Sequence, residues 1–283
     1  MREDIVRVTS TRPSSSGLPP PAVTVCAVGL IGVGWKMEGI SCLNETSMEN
    51  LRQCVKNNTF SLNDTIADVN KWKSGTNCTK PVNTIWKSSM STSLLGVCHT
   101  LVYKEALSST DILWIKLKEK PWKYKVYFHD PTFFLQKSDS YFIPFVFLSK
   151  LNGKEYRIVT SRNTRMNQPG KFECTKDTDY NFNTCVTNSL ATKLGCTFPW
   201  AAEVSTDKFH ICNTTEKVYE YFSVYLNIYD ETQQYILDLT GCKVPCGYNH
   251  YSEVGKPATF ELINITHFGL SFASTDLTEI QEV

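Results

Sequence analysis

Residues 174–246 read CTKDTDYNFNTCVTNSLATKLGCTFPWAAEVSTDKFHICNTTEKVYEYFSVYLNIYDETQQYILDLTGCKVPC, and their pattern decides the fold class. Asn213 with Glu216 three residues later has the form of a capping box. Val218, Phe222, Tyr225, Leu226 and Tyr229 then recur at helical spacing. The spacing predicts a helix of about 25 residues from Thr214 to near Asp238, its apolar stripe a packing face. A second helix is expected between Phe182 and Leu194. Cys174, Cys185, Cys196, Cys212, Cys242 and Cys246 are distributed around these two segments.

Outward from this stretch the chain reads as strands, which makes the fold α+β. Ala22 to Val28 is a short β-branched run after proline. Trp122, Tyr124, Val126 and Phe128 alternate with Lys123, Lys125 and Tyr127, as on a half-buried strand. Tyr141 to Leu148 is nearly all apolar, but Pro144 removes a ladder donor and predicts an edge strand or a bulge. Glu155 to Thr160, after the turn-like Asn152-Gly153, is expected to pair with it as a hairpin. Thr259 to Ser274 returns to period two, with Phe268, Leu270 and Phe272 on one face. A helix is expected around Thr46 to Lys56, within a polar stretch that holds Cys42, Cys54 and Cys78. Residues 1–20, ending in TRPSSSGLPP, read as a disordered or gene-model leader. There is no internal repeat.

The 283 residues carry 29 basic and 28 acidic side chains, with 41% hydrophobic and 12% aromatic content. That apolar share supports a folded core. The near-balanced charge lacks the clustered Lys/Arg excess that grips phosphate, so no nucleic-acid partner is expected. Eleven cysteines run from Cys26 to Cys246, with no CxxC pair. His250 follows Cys242 and Cys246, which leaves a zinc site conceivable, but a disulfide framework is the favoured reading and no cofactor or metal is expected. Six glycosylation sequons occur, at Asn44, Asn57, Asn63, Asn77, Asn213 and Asn264. Together with the cysteines they point outside the cell. The longest apolar stretch, Pro21 to Trp35, is short of the roughly 20 residues that span a bilayer. Its alternative reading is a signal-peptide core behind Arg2, Arg7 and Arg12, against which stand Glu3, Asp4 and the prolines that open it.

Four segments, in order, resemble landmarks of the degenerin/epithelial sodium channel family. Pro21-Ala22-Val23-Thr24-Val25-Cys26 is similar to the family's Pro-Ala-Val-Thr-aliphatic-Cys strand, with Ala27 where Asn is usual. Gly96-Val97-Cys98-His99-Thr100 resembles Gly-x-Cys-aromatic-Thr, with His99 at the aromatic place. His129-Asp130-Pro131 is the third. Cys242-Lys243-Val244-Pro245-Cys246, followed by Tyr248 and Tyr251, resembles the Cys-x-x-Pro-Cys that closes the family's thumb. The resemblance covers about residues 21–283. Gly195-Cys196-Thr197-Phe198-Pro199-Trp200 looks closest to arthropod members.

The resemblance implies a hand-like extracellular domain. Its parts would be a first palm strand over 21–35, a finger and knuckle region over 36–120, and palm and β-ball strands over 121–170. A disulfide-braced helical thumb would follow over 171–247, then palm strands over 248–283 returning to the membrane. It implies the pairs Cys26–Cys98, Cys174–Cys246, Cys185–Cys242 and Cys196–Cys212; the first would contribute about 4 kcal/mol in the chain-entropy model. A further family rung is absent, its places reading Ser189 and Thr240. Cys42, Cys54 and Cys78 are left, and three cannot all pair. Phe172, just before the first thumb cysteine, is the aromatic expected to touch the first membrane helix, or else a packed loop aromatic.

Three subunits of the family surround a pore, and the sodium-selecting Gly/Ser-x-Ser element would lie beyond Val283. The expectation is therefore the sensing and gating domain of an amiloride-sensitive sodium channel subunit, lacking its membrane helices, on the extracellular side of the plasma membrane. Its partners would be two further subunits, sodium ions in a pore outside this chain, and an extracellular ligand or protons. Asp177, Asp179, Glu216, Glu220, Asp230, Glu231 and Asp238 are candidates for proton sensing, with solvated helix charges as the default. The second class of function is a secreted disulfide-rich binding glycoprotein. An enzyme is not expected, and no catalytic residues are assigned: hydrolase and nucleotide-binding motifs are missing. Cys98 and His99, as strand neighbours, point to opposite faces. His129-Asp130-Pro131 reads as a turn at a strand end.

Overall fold

The computed structural model of the chain describes residues 6–13, 16–28, 47–50, 53, 65–73, 79–81, 87–93, 96–118, 123–132, 143–148, 152–165, 173–197, 208–230, 233–255, 258–261 and 266–282. The described strands begin with β1 (Val6–Pro13), β2 (Ala22–Val28), β3 (Ile66–Lys73), β4 (Thr79–Pro81) and β5 (Lys87–Ser93). They continue through β6 (Gly96–Val102), β7 (Asp111–Leu117), β8 (Lys123–His129), β9 (Ile143–Leu148) and β10 (Asn152–Arg165). The last five are β11 (Cys174–Thr175), β12 (Val244–Pro245), β13 (Gly247–Glu253), β14 (Ala258–Glu261) and β15 (Thr266–Glu282). Three helices lie between β11 and β12: α1 (Phe182–Leu194), α2 (Thr215–Asp230) and α3 (Gln233–Thr240). The fold is sheet-rich α+β. No helix among the described residues is long and apolar enough to cross a membrane.

Two sheets share one core. The larger has eight strands ordered β13-β10-β15-β7-β3-β4, with β1 added to β15 and β14 to β10. The smaller is β5-β6-β2-β8-β9. Strand β7, DILWIKL, shows why they stack: Leu113, Ile115 and Leu117 point inward and are buried, while Lys116 faces solvent. Val23, Val25, Val126 and Phe128 of the smaller sheet meet Tyr156, Ile158, Phe268 and Leu270 of the larger. Phe128 bridges the layers, its ring centroid 5.7 Å from Tyr156 and 5.8 Å, edge-on, from Phe268.

Several expectations change. Residues 6–13 are a strand, not a leader: β1 lies antiparallel on β15, with Val6 opposite Glu282 and Pro13 opposite Asp276. Residues 16–20, described after it, are held as well. Leu18 is buried and exchanges two 2.9 Å backbone hydrogen bonds with Leu107, and Gly17 takes φ 83° where a Cβ would lie 2.7 Å from the Leu107 carbonyl oxygen. A composition rule for disorder takes no account of a partner strand at the far end of the chain.

The strand expected within 21–35 is β2, but it belongs to the smaller sheet, and residues 29–35 lie outside the described ones. Within the region assigned to finger and knuckle, β3, β4 and β7 join the larger sheet and β5 and β6 the smaller. Residues 48–50 and 53 are helical, inside the expected 46–56 segment.

The hairpin across Asn152-Gly153 does not form. Both residues belong to β10 and pair with Glu261 and Phe260 of β14, because the chain passes from one sheet to the other between β9 and β10. Pro144 stands in β9, an edge strand whose pairing with β8 also shifts register. Strand β8 is buried on both faces from Val126 to His129 rather than half-buried.

Helix α1 has the expected bounds. Asn181 caps it, its Oδ1 accepting from the Thr184 backbone at 3.0 Å, and Gly195 ends it at φ 72°. The expected long second helix is described as α2 and α3, with residues 231–232 outside the described ones. Its cap is Thr214, not Asn213: Lys217 N donates to Thr214 Oγ1 at 3.3 Å. The third residue of that helix is therefore Lys217, which cannot complete a capping box. Val218 is buried; the side chains of Phe222, Tyr225, Leu226 and Tyr229 lie outside the described residues.

Candidate functional site

The His129-Asp130-Pro131 turn is where the two sheets and the helices meet. His129 ends β8 and is 3% exposed. Its Nδ1 lies 2.8 Å from the Asp130 carbonyl, which can only accept, so Nδ1 carries the proton. Burial pushes the imidazole down to about 4, leaving it neutral at pH 7 with Nε2 as an acceptor. The Thr24 hydroxyl, 2.7 Å away on β2, therefore donates to Nε2, and Thr24 in turn accepts from Thr100 of β6 at 2.7 Å. One polar chain fixes three strands of the smaller sheet.

Asp130 reaches the other way. Its Oδ1 accepts from Thr132 N at 2.8 Å and Thr132 Oγ1 at 2.5 Å, which closes the turn. Its Oδ2 accepts from the backbone of Asn249, on β13 of the larger sheet, at 2.7 Å. The exposed carbonyls of the same turn hold α1: Pro131 O accepts from Asn181 Nδ2 at 3.1 Å and Thr132 O from Phe182 N at 3.0 Å. Asn181 thus caps the helix with one end of its amide and docks it with the other. The expectation of a turn at a strand end fits, but the turn is also a buried three-way joint.

The helical unit is further braced by sulfur. Three disulfides are present among the described residues: Cys174–Cys246, Cys185–Cys242 and Cys196–Cys212. These are the three pairs that the resemblance implies for this stretch. Cys242 and Cys246 are therefore not available as the zinc ligands considered beside His250, which instead lies 3.0 Å from the Ser252 hydroxyl. The Cys174–Cys246 bond joins β11 to the residue that follows β12, and this parallel pair is closed further by Cys246 N donating to Thr175 O at 2.8 Å. Asn249 follows Cys246 by three residues, so the sulfur bond and the Asp130 contact act on the same end of β13. Across this base the Lys243 ammonium sits 2.7 Å from Glu173 and holds its exposed carboxyl below the usual range.

Higher up, Cys185, Ser189 and Lys193 recur every four residues on one face of α1. All three engage the end of α3. Cys185 bonds Cys242, Ser189 Oγ donates to Thr240 O at 2.7 Å, and Lys193 Nζ donates to Leu239 O. Gly241, at φ 67°, ends α3 with its own N–H on Leu237 O at 2.7 Å.

No protein-family model matches the chain, and no curated protein matches it.

The other expected site residues divide. Cys26 and Cys98 stand directly opposite in the β2–β6 register. Asn213 is exposed, while Asn44, Asn57, Asn63, Asn77 and Asn264 lie outside the described residues, as do Phe172, Cys42, Cys54 and Cys78. Asp177, Asp179, Glu216, Glu220 and Asp238 are exposed; Glu231 and the Asp230 side chain lie outside the described residues. Tyr248 and Tyr251 are buried, with Tyr251 Oη donating to Pro19 O at 3.2 Å. Sequence reading missed Thr24, Thr100, Asn181 and Asn249 as members of the joint. Both threonines stand inside quoted motifs, and Asn181 is an N-cap residue ahead of an expected helix. Asn249 acts through its main chain and carries no side-chain signal.

Proposed function

We propose that the chain is the extracellular sensing and gating domain of a cation-channel subunit of the degenerin/epithelial sodium channel family. In this reading the larger sheet serves as palm, the smaller as β-ball, and α1–α3 with their disulfides as thumb. The observation that carries it is the ordered sulfur stack along the helices, with Ser189 and Thr240 hydrogen-bonded at the place of the absent rung.

The route from stimulus to pore would be mechanical. A ligand or proton that moves the helices pulls on Cys246 and Asn249, hence on β13. Strand β13 pairs with β10, β10 runs parallel to β15 from Lys154 to Arg165, and β15 carries β1. Val6 and Glu282 are register partners, so two membrane helices continuing from these strands would start side by side.

The test is the longer transcript and its current. Apolar runs of about 20 residues on both sides, the downstream one containing Gly/Ser-x-Ser, are expected. Expression of that full-length subunit should give a sodium current blocked by amiloride. Stop codons on both sides, with a secreted product, would instead establish the disulfide-rich binding glycoprotein.

A further inference from the structure

We propose that Asn213 carries an N-linked glycan that shelters Ile211 and keeps the α1–α2 end of the helical unit in solvent. Asn213-Thr214-Thr215 is an Asn-x-Thr sequon. A polar residue just before a helix commonly spends its side chain on the cap. Here Thr214 fills that slot, and the Asn213 amide makes no hydrogen bond among the described residues.

The backbone leading to it is held firmly. Thr197 N donates to His210 O at 3.0 Å, Cys212 N donates to Thr197 O at 2.9 Å, and the buried Cys196–Cys212 bond closes the same point. Asn213 follows at once and is exposed, so a sugar there displaces no hydrogen bond among the described residues. Ile211, two residues earlier, is 38% exposed, one of two exposed large hydrophobics among the described residues. In this proposal the first sugar packs over that side chain and takes apolar surface out of water. In the transfer, Asn213 Nδ2 bonds to C1 of a lipid-pyrophosphate-linked oligosaccharide. The C1–O bond breaks, the lipid pyrophosphate leaves with its electron pair, and one Nδ2 proton is released.

The inference rests on the extracellular reading, since this transfer occurs in the secretory pathway. The full chain, secreted from insect cells, is deglycosylated enzymatically in heavy-oxygen water and mapped by mass. Residue 213 should appear as labelled Asp. Asn213→Gln and Thr215→Ala should each lose one glycan step on a gel, while Thr214→Ala keeps it, because the middle position is free. Asn213→Gln should also bind more of an apolar dye, and Ile211→Thr in the same chain should reverse that rise; an unchanged signal overturns the sheltering. An unmodified Asn213 beside an oxidised Cys196–Cys212 and occupied sequons elsewhere overturns this inference alone. Six bare sequons with reduced thiols overturn the extracellular reading with it.

Discussion

Ser189 in α1 donates its hydroxyl to the main-chain carbonyl of Thr240, the last residue of α3, at 2.7 Å. The final carbonyls of a helix have no partner within it, so this bond and the one from Lys193 to Leu239 satisfy groups that water would otherwise have to reach. Ser189→Ala should cost about 1 kcal/mol. Lys193→Met, which removes a cation from a helix C-terminus, should cost about 0.5 kcal/mol and less at high salt. Urea midpoints of the two variants at low and high salt check both values.

Buried neutral His129 makes the fold acid-sensitive. Its pKa falls from 6.5 to about 4 on folding, so between those values the unfolded chain binds more protons than the folded one. Stability is then full above about pH 6.5 and is lost as pH falls towards 4, by roughly 3 kcal/mol in all. Denaturation midpoints measured across that window should decline in the native chain. His129→Gln should be less stable at pH 7 and should show a shallower decline; an equally steep decline would assign the effect to other groups.

Asp130→Asn tests the joint itself. The amide keeps the shape but presents an NH₂ group either to the Asn249 N–H or to the two Thr132 donors that the carboxylate now satisfies. A loss of about 1–3 kcal/mol is expected. Hydrogen exchange should quicken at Asn249 if the β13 contact is the one given up, and at Thr132 if the turn opens.

Much of this architecture is legible in the sequence. Ala22–Val28 and Phe182–Leu194 are signalled locally, by β-branched residues after proline and by a cap with a terminal glycine. The three disulfides over 174–246 follow the order that the family resemblance implies rather than any rule of spacing, since six cysteines alone allow fifteen connectivities. What failed was long-range. Strand β1 exists because β15 returns from the other end of the chain, and Asn152-Gly153 stays extended because its neighbours lie in the larger sheet. Thr214 took the cap from Asn213 by a shift of one residue, within the ordinary uncertainty of helix ends. The joint was the least legible part, because most of its contacts involve main-chain groups.

Phe172 precedes Cys174 by two residues, and Cys174 is tied to Cys246 at the base of the helices. On the proposed channel reading, with this aromatic touching a first membrane helix, Phe172→Ala in a full-length subunit should alter the rate or the stimulus dependence of opening without reducing surface expression. Unchanged gating at normal surface expression would leave Phe172 as a packing residue only.

The stack of sulfur bonds ties the helices to one another and to the start of β13, and the Cys185–Cys242 bond, closing 57 positions, should itself contribute about 4 kcal/mol in the chain-entropy model. Peptide mapping of the secreted, unreduced chain by mass spectrometry tests that claim most directly. It should recover Cys174 linked to Cys246, Cys185 to Cys242 and Cys196 to Cys212. Free thiols at Cys185 and Cys242, or either one joined to a different cysteine, would contradict the account.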